Sequence, residues 1–368
     1  MDNDDMTGAE RELCDRLATG EGALTEPLVA AARRHRLHLL VGAALSAAER
    51  EGDAGSQLAR DVTIAAALNG WQEEAVTDLL DALGDANIAA LLLKGAGLAY
   101  TVYPAPHLRP RVDVDVLIRR DMLERCETLL GAGGWRRLPE RDSELGEPQR
   151  HYMTAGPGAT IYYLDLHWKI ASPRLFADTL TFDELLSRAT RISQLGRHAQ
   201  TPGRVHALFI ACVHRVAHHA DAMDLLWLWD IHLLMERLTR GEAEQFIDLA
   251  RRTRMSAVCV RGLELAHECF GTNRGAEISS RLHDAGAAVA GAVEPSSRFL
   301  GGTRLITLLH ADLSLLSWRD RVQLIGEHLF PSRTYMRARY PSCPPVLLPL
   351  AYVGRIARGA PKWLRRYS

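Results

Sequence analysis

The stretch LLLKGAGLAYTVYPAPHLRPRVDVDVLI, residues 91–118, decides the fold class of this chain. Residues 88–94 form a short apolar run of the length typical of a buried strand, and glycines follow it directly. Residues 97–103 predict a short helix that ends at Pro104. Residues 111–118 alternate charged and apolar side chains with period two, which predicts a second strand. These elements predict the beginning of a small α/β core.

Helical patterns surround this core on both sides. Apolar residues recur at helical spacing over residues 8–83 and again after about residue 200, whereas residues 161–168 predict a further strand. We therefore predict an α+β fold with a small mixed β-sheet and flanking helical segments. Four segments are expected: an N-terminal helical region (1–84), the α/β core (85–200), a C-terminal helical domain (201–330) and a basic tail (331–368).

The bulk composition is that of an ordinary soluble globular protein. Hydrophobic residues make up 47% and charged residues 24% of the 368 residues, and the net charge of −1 argues against a surface coated for nucleic acid. The six cysteines form no C-x-x-C pair, so we expect reduced thiols. The acidic N-terminus predicts no signal peptide, and the longest apolar run, residues 344–353, is shorter than the ~20 residues of a membrane helix. A cytoplasmic location is expected.

Two acidic residues interrupt the second predicted strand. Asp113 and Asp115 lie two positions apart, so both side chains leave the same face of the strand, and the valines between and around them point to the other. Two adjacent carboxylates repel each other unless a cation lies between them. Hard oxygen ligands at this spacing suit Mg²⁺, which usually takes one or two protein carboxylates. The pair therefore predicts a metal site.

A third carboxylate, Asp165, stands between two leucines on the later predicted strand. If that strand neighbours the first, Asp165 completes the metal site with Asp113 and Asp115. A second ion would then allow the pair of ions to act on the attacking and leaving oxygens of a phosphoryl displacement. Asp165 is also the natural base for an acceptor hydroxyl.

The turn between the predicted strand and helix has the features of a phosphate-holding loop. Gly95 and Ala96 open the helix, where unpaired backbone N–H groups favour anions, and Lys94 adds a positive charge. Arg109 and Arg111 could steady a triphosphate or a leaving pyrophosphate.

Each of these signals is weak by itself. A lone D-x-D is usually a solvated strand face, a glycine turn often serves geometry only, and Arg109 and Arg111 could be surface charges. The order of the signals is more specific, because the glycine turn precedes the acidic strand and a lone acid follows on a later apolar strand.

In this run, and in the downstream LDLHW of residues 164–168, the chain resembles the uncharacterised nucleotidyltransferase family of the polymerase-β-like superfamily. The resemblance covers roughly residues 30–270. It matches Gly95 to the family's first glycine, Asp113 and Asp115 to the metal pair, and Asp165 to the third acid. It implies an NTP as donor and two Mg²⁺ ions. The chain departs from the pattern at Ala96, where the family has a second glycine or a serine.

We therefore predict a Mg²⁺-dependent nucleotidyltransferase that transfers a nucleoside monophosphate from an NTP to an unidentified acceptor hydroxyl or phosphate. Two alternatives stay open. The chain could be a catalytically silent NTP-binding or interaction module, or a phosphotransferase that moves a terminal phosphate at the same site.

Several residues outside this pattern carry further expectations. His214 and His218 have the spacing of a zinc-binding pair, but Arg215 stands where a zinc hydrolase has its glutamate, so we expect one of these histidines to approach the active site instead. Asp230 shares an apolar helical stripe and is predicted to be buried and paired. His167 is predicted to lie on the face opposite Asp165, near Trp135 or another core aromatic residue.

The C-terminal tail from residue 331 has eight basic residues and no acidic residue. It could form an amphipathic helix on an anionic membrane surface, hold a nucleic acid or another polyanion, or dock on the protein with a solvated basic face.

Overall fold

The structure is a computed structural model that describes residues 6–139, 145, 147–271, 273–288, 294–302 and 305–363. It has the predicted α+β fold, with one five-stranded mixed sheet, one two-stranded sheet and helices on both sides of the core in sequence. The division into four segments remains a prediction.

The strands, in chain order, are β1 (Ala90–Leu92), β2 (Asp113–Ile118), β3 (Arg136–Arg137), β4 (Gln149–Ala155), β5 (Ile161–His167), β6 (Thr190–Arg191) and β7 (Gln200–Thr201). The helices before and within the core are α1 (Gly8–Thr19), α2 (Glu26–Arg34), α3 (His38–Ala43), α4 (Ala47–Glu51), α5 (Asp53–Asp85), α6 (Lys94–Thr101), α7 (Leu123–Ala132), α8 (Arg174–Ala177) and α9 (Phe182–Ser187). The later helices are α10 (Arg204–His219), α11 (Leu225–Arg237), α12 (Arg240–Arg252), α13 (Ser256–Phe270), α14 (Asn273–Ala288), α15 (Leu305–Leu315), α16 (Trp318–Leu329), α17 (Arg333–Arg339) and α18 (Leu348–Trp363).

The large sheet has the strand order β1-β2-β5-β4-β3. Its central strands β2 and β5 are parallel, and the other neighbouring pairs are antiparallel. The register of the parallel pair places Asp115 opposite Asp165. The condition set by the sequence pattern, that the strand with the third acid neighbours the strand with the first two, is therefore met.

Alternation along β2 explains how one strand serves both the core and a polar face. Val114 and Val116 are buried in the apolar cluster beneath the sheet, whereas Asp113 and Asp115 leave the other face. All three residues of β1 are buried, as expected for a strand covered on both faces.

The sequence located the first two strands, the helix between them and β5 to within three residues. It missed β3, β4 and the short pair β6–β7. The seven residues of β4, QRHYMTA, include only one buried side chain, that of Tyr152. Without apolar alternation this segment carries no strand signal.

The buried apolar side chains form two clusters. One lies under the sheet and includes residues of α5 and α7, and the other joins the N-terminal helices to α10–α13. Helices α10, α11 and α13 contact one another and carry a large part of the second cluster. In the described part of the chain, no helix is long and apolar enough to cross a membrane.

Candidate active site

The three acids predicted from the sequence come from the two parallel strands. Asp113 begins β2 and Asp115 follows two positions later, on the same face. Asp165, on β5, is the register partner of Asp115, and Tyr163 is the partner of Asp113. Asp113 and Asp165 are partly buried and Asp115 is buried. The centre of the sheet therefore brings these carboxylates together on one face.

Asp115 is held by two donors on one oxygen. Lys94 Nζ donates to Asp115 Oδ1 at 2.8 Å, and His167 Nε2 lies 2.8 Å from the same atom. Burial opposes ionisation of this carboxyl group, but the Lys94 ammonium and the hydrogen bond from His167 hold its pKa well below the usual range. Asp115 is therefore an anion at neutral pH.

His167 was not among the residues predicted for the site, and its predicted position was wrong. It lies two positions after Asp165, so the period-two alternation of a strand puts both side chains on the same face. A carboxylate can only accept, so Nε2 of His167 carries the proton in this bond. Burial, together with the charge of Lys94, lowers the pKa of His167 to about 4, so the ring is neutral at pH 7. Correct use of the alternation would have found this residue.

The other two acids lack a direct cation of this kind. Burial raises the pKa of Asp165 to about 7, and the charges of Asp115 and Asp113 raise it as well, although His151 acts in the opposite direction. His151 Nε2 lies 3.6 Å from Asp165 Oδ2, because β4 pairs these two residues directly. Burial and the charge of Asp115 likewise raise the pKa of Asp113. The face carries more negative charge than Lys94 neutralises.

The donor set fits a metal ion. Among the described residues, one group has ligand atoms within 4.8 Å of one another in the manner of a metal site, namely Asp115, Asp165 and His167. The two carboxylates could hold a divalent cation, whose charge would balance theirs, and His167 could join them only through a ring nitrogen that carries no proton. The cluster includes two of the three predicted acids and replaces Asp113 by His167.

The turn that carries Lys94 is tightly packed. Lys94 has φ of +47°, a conformation that is unusual for a residue with a side chain, and it begins α6. A Cβ atom on Gly97 would lie 2.2 Å from Thr201 Oγ1 and 2.8 Å from the carbonyl oxygen of Leu92, so only glycine fits there. Gly95 is close to Arg109, whose Nη1 would lie 2.9 Å from an added Cβ. This packing fixes the N-terminus of α6 beside Asp115.

Arg109 forms a buried ion pair beside this turn. Its Nε and Nη2 donate to Asp230 at 3.1 and 2.7 Å, and Nη1 donates to the carbonyl oxygen of Pro110 at 2.7 Å. Tyr103 donates a further hydrogen bond to Asp230 at 2.7 Å. The prediction that Asp230 is buried and paired is confirmed. Because all three guanidinium nitrogens of Arg109 are engaged, the geometry favours support of the Gly95 turn over direct contact with a phosphate.

Arg111 is also held by protein groups. Its Nη2 donates to Asn69 Oδ1 at 2.6 Å, and its Nη1 donates to the carbonyl oxygen of Pro106 at 3.1 Å. Lys94 therefore has the most direct access to the acids among the three cations singled out from the sequence.

The histidines of α10 lie close to Lys94. His214 and His219 approach each other at 3.1 Å between their Nε2 atoms, and His219 stacks on Trp227 with ring centroids 3.8 Å apart. Burial lowers the pKa of His214 and His218 well below the usual range, and the charge of Lys94 adds to this effect. These rings are neutral. Within the described residues they belong to no group with metal-ligand spacing.

The α+β fold thus carries, on its two parallel strands, a cluster of side chains that could bind a metal ion. The chain belongs to the uncharacterised nucleotidyltransferase family, whose sequence pattern matches residues 22–271. This confirms the resemblance seen in the sequence. No curated protein sequence matches the chain.

Among solved structures, the crystal structure of JHP933 from Helicobacter pylori is similar to part of the chain. The two share 13% identical residues over 61% of this chain and 96% of the other, with a TM-score of 0.32. Likeness at this level does not bear on function.

Proposed function

We propose that the chain is a Mg²⁺-dependent nucleotidyltransferase that moves a nucleoside monophosphate from an NTP to an acceptor hydroxyl or phosphate. The observation that carries the proposal is the convergence of Asp113, Asp115 and Asp165 from two adjacent parallel strands, beside the turn that begins with Lys94. Mg²⁺ would be held by these acids, while His167 orients Asp115 through its hydrogen bond.

Lys94 and the N-terminus of α6 are the groups proposed to bind the phosphates. The first N–H groups of a helix have no partner within the helix, and the helix dipole favours an anion there. Glycine at position 95 allows close approach of the backbone, and Ala96 offers a backbone N–H but no hydroxyl. Arg109 acts indirectly in this proposal. It is held by Asp230 and packs against Gly95, and it thereby keeps the turn in place.

In the proposed reaction the acceptor oxygen forms a bond to the α-phosphorus, and the bond from that phosphorus to the pyrophosphate oxygen breaks. Asp165 takes the proton when the acceptor is a hydroxyl. Bound Mg²⁺ would supply charge neutralisation at the phosphate oxygens in the transition state. His167 and the α10 histidines are neutral and so add no positive charge to this face.

The test is incubation of the intact chain with Mg²⁺ and each NTP labelled at the α-phosphate, in cell extract, followed by separation of the labelled products. We expect label in one class of acceptor with the wild type and none with Asp113→Asn. A parallel incubation with label at the γ-phosphate separates the alternatives. Transfer of the γ label alone would identify a phosphotransferase and overturn the proposal.

A catalytically silent NTP-binding module is the second candidate. One observation in its favour is the ion pair between Lys94 and Asp115, because the Lys94 ammonium already supplies a positive charge at the acidic face. Another is Ala96, which stands at the position of the family's second glycine or serine. Calorimetric binding of Mg·NTP without transfer of either label would establish this function instead.

A further inference from the structure

The helices that follow the family-matched region expose an unusual amount of apolar side chain. Ten of the fifteen large exposed apolar residues of the described structure lie between residues 306 and 353. The most exposed of them are Trp318, Val322, Phe330, Val346, Leu350 and Val353, each between 63% and 86% exposed. We call these six residues the C-terminal apolar surface. Clustered apolar exposure of this kind marks an interaction site.

The exposed residues follow helical spacing. On α16, Trp318, Val322 and Ile325 lie four and three positions apart, so they share one face of the helix. Leu350 and Val353 lie three positions apart on α18, and Val346 stands four positions before Leu350. Helix α16 therefore presents an apolar stripe that begins with Trp318, and α18 presents a shorter one, while Phe330 directly follows α16 and Val346 precedes α18.

The helices that carry the stripes form a folded unit. Tyr352 donates to the carbonyl oxygen of Pro331 at 2.8 Å, and Arg355 donates to that of His328 at 2.7 Å. The guanidinium of Arg358 lies over the ring of Tyr340 at 5.5 Å. The tail is thus docked on α16 and α17, while the stripes remain exposed. The side chain of Lys362, and all of Arg365 and Arg366, lie outside the described residues.

The charge of this unit is strongly positive. Residues 318–363 contain eight basic and two acidic residues, although the chain as a whole has a net charge of −1. Arg333, Arg337, Arg339 and Arg358 are exposed. An apolar stripe flanked by arginines and carrying tryptophan and phenylalanine has the composition of a surface helix that lies in a lipid headgroup layer.

We propose that the C-terminal apolar surface docks on an anionic lipid bilayer. The positive charge argues against a second copy of this chain as the occupant, because two such surfaces would face each other with like charges. The aliphatic stripe argues against RNA, which is bound through stacked aromatic residues and phosphate contacts rather than through valine and leucine. Attachment would be peripheral, since no described helix is able to span a bilayer.

Flotation of the intact chain with phosphatidylglycerol–phosphatidylcholine vesicles, at low and high salt, tests the proposal. We expect binding that weakens with salt and is absent on pure phosphatidylcholine. The double variant Trp318→Ser, Leu350→Ser should lower partitioning by about tenfold or more, since two apolar anchors are lost. Trp71→Ser, which removes an exposed tryptophan from α5, is the matched control and should bind like the wild type.

The charge contribution is tested with Arg337→Gln, Arg339→Gln. Each arginine near an anionic bilayer contributes about a fivefold factor in partitioning, so this pair should cost on the order of 25-fold. Arg11→Gln, Arg125→Gln removes two exposed arginines elsewhere and should have no effect.

Three results would overturn the proposal. The first is equal flotation of the wild type and the Trp318, Leu350 double variant. The second is salt-sensitive binding to an RNA oligonucleotide without flotation. The third is concentration-dependent dimerisation without flotation, if the double variant abolishes that dimerisation. Because the proposal concerns residues outside the acidic site, label transfer by all of these variants should equal that of the wild type.

Discussion

Asp115 and Asp230 are both buried carboxylates paired with a basic side chain, but their oxygens are hydrogen-bonded differently. Asp115 pairs with Lys94 and Asp230 pairs with Arg109, and all four side chains are largely buried. Asp230 accepts three hydrogen bonds that use both of its oxygens, from Tyr103 and from two nitrogens of Arg109. The two bonds that Asp115 accepts both end on Oδ1.

Burial of an acid does not by itself mark a functional site. Both oxygens of Asp230 accept hydrogen bonds from protein donors, and its bonds to Arg109 connect α11 to the segment before β2. Asp115 faces two further acids, Asp113 and Asp165, whose pKa values are raised by burial and by mutual repulsion. A site that leaves carboxylates unbalanced is suited to a cation, whereas a balanced pair is suited to structure.

The largest expected effect comes from the acids of β2. Asp113→Asn and Asp115→Asn should each lower label transfer by about 10⁴-fold or more, as expected when a group essential to catalysis is removed. The fold should persist, because the amide oxygen that Asp115→Asn introduces can still accept from Lys94 and His167. Titration of Mn²⁺ into wild type and variants checks the assignment. Equal affinity in all three would contradict it.

The same substitution at Asp230 should destabilise the fold rather than remove a catalytic group. Both oxygens of Asp230 accept from donors, so an amide NH₂ in either orientation meets an N–H or O–H group. Asp230→Asn should therefore lower the free energy of unfolding by about 3–5 kcal/mol, the range for breaking a buried ion pair. Thermal unfolding measured beside Asp115→Asn checks the contrast. A loss no greater than that of Asp115→Asn would refute the distinction between the two pairs.

Asp165→Ala should leave Mg·NTP binding largely in place and lower turnover by about 10²-fold, the range for loss of a general base. Its stability should not fall, since burial disfavours the charge of Asp165. Single-turnover label transfer together with calorimetric nucleotide binding checks both parts. Wild-type turnover in this variant would remove Asp165 from the site.

The smallest effect concerns α6, the helix that begins at Lys94. Gly97→Ala should cost about 1–3 kcal/mol of stability, because the new methyl group meets Thr201 and the backbone of Leu92 in a packed core. Gly131→Ala in α7, where an added Cβ has no neighbour within 4 Å, is the matched control and should be neutral or stabilising. If thermal unfolding shows equal Tm values for the two variants, the close approach at Gly97 is not a constraint.

Much of the acidic face could be predicted because its information is local. The D-x-D spacing fixes the shared face of Asp113 and Asp115, and the leucines around Asp165 fix its strand. The partners of these residues are not local. Lys94 and Asp115 are brought together by pairing of β1 with β2, and Arg109 meets Asp230 across 121 positions in sequence. No periodicity reports such contacts.

The strand β4, which the sequence did not predict, also carries a residue of the site. It lies directly beside β5 and brings His151 to 3.6 Å from Asp165, so a residue of the site was missed together with its strand. Its polar sequence could not separate a sheet strand from a loop. For the tail, the sequence left open an amphipathic helix on a membrane, a polyanion-binding segment and a docked helix, because exposure of an apolar stripe depends on which helices cover it.

The parallel pairing of β2 with β5 also sets when the site can exist during folding. The register partners Asp115 and Asp165 are 50 positions apart, and β3, β4 and α7 lie between them. Contacts over such distances carry a large loop-closure entropy and form slowly, whereas the helices depend on neighbours in sequence. The acids therefore meet only when the central sheet closes. A chain in which β2 and β5 have not yet paired would therefore lack the proposed metal site.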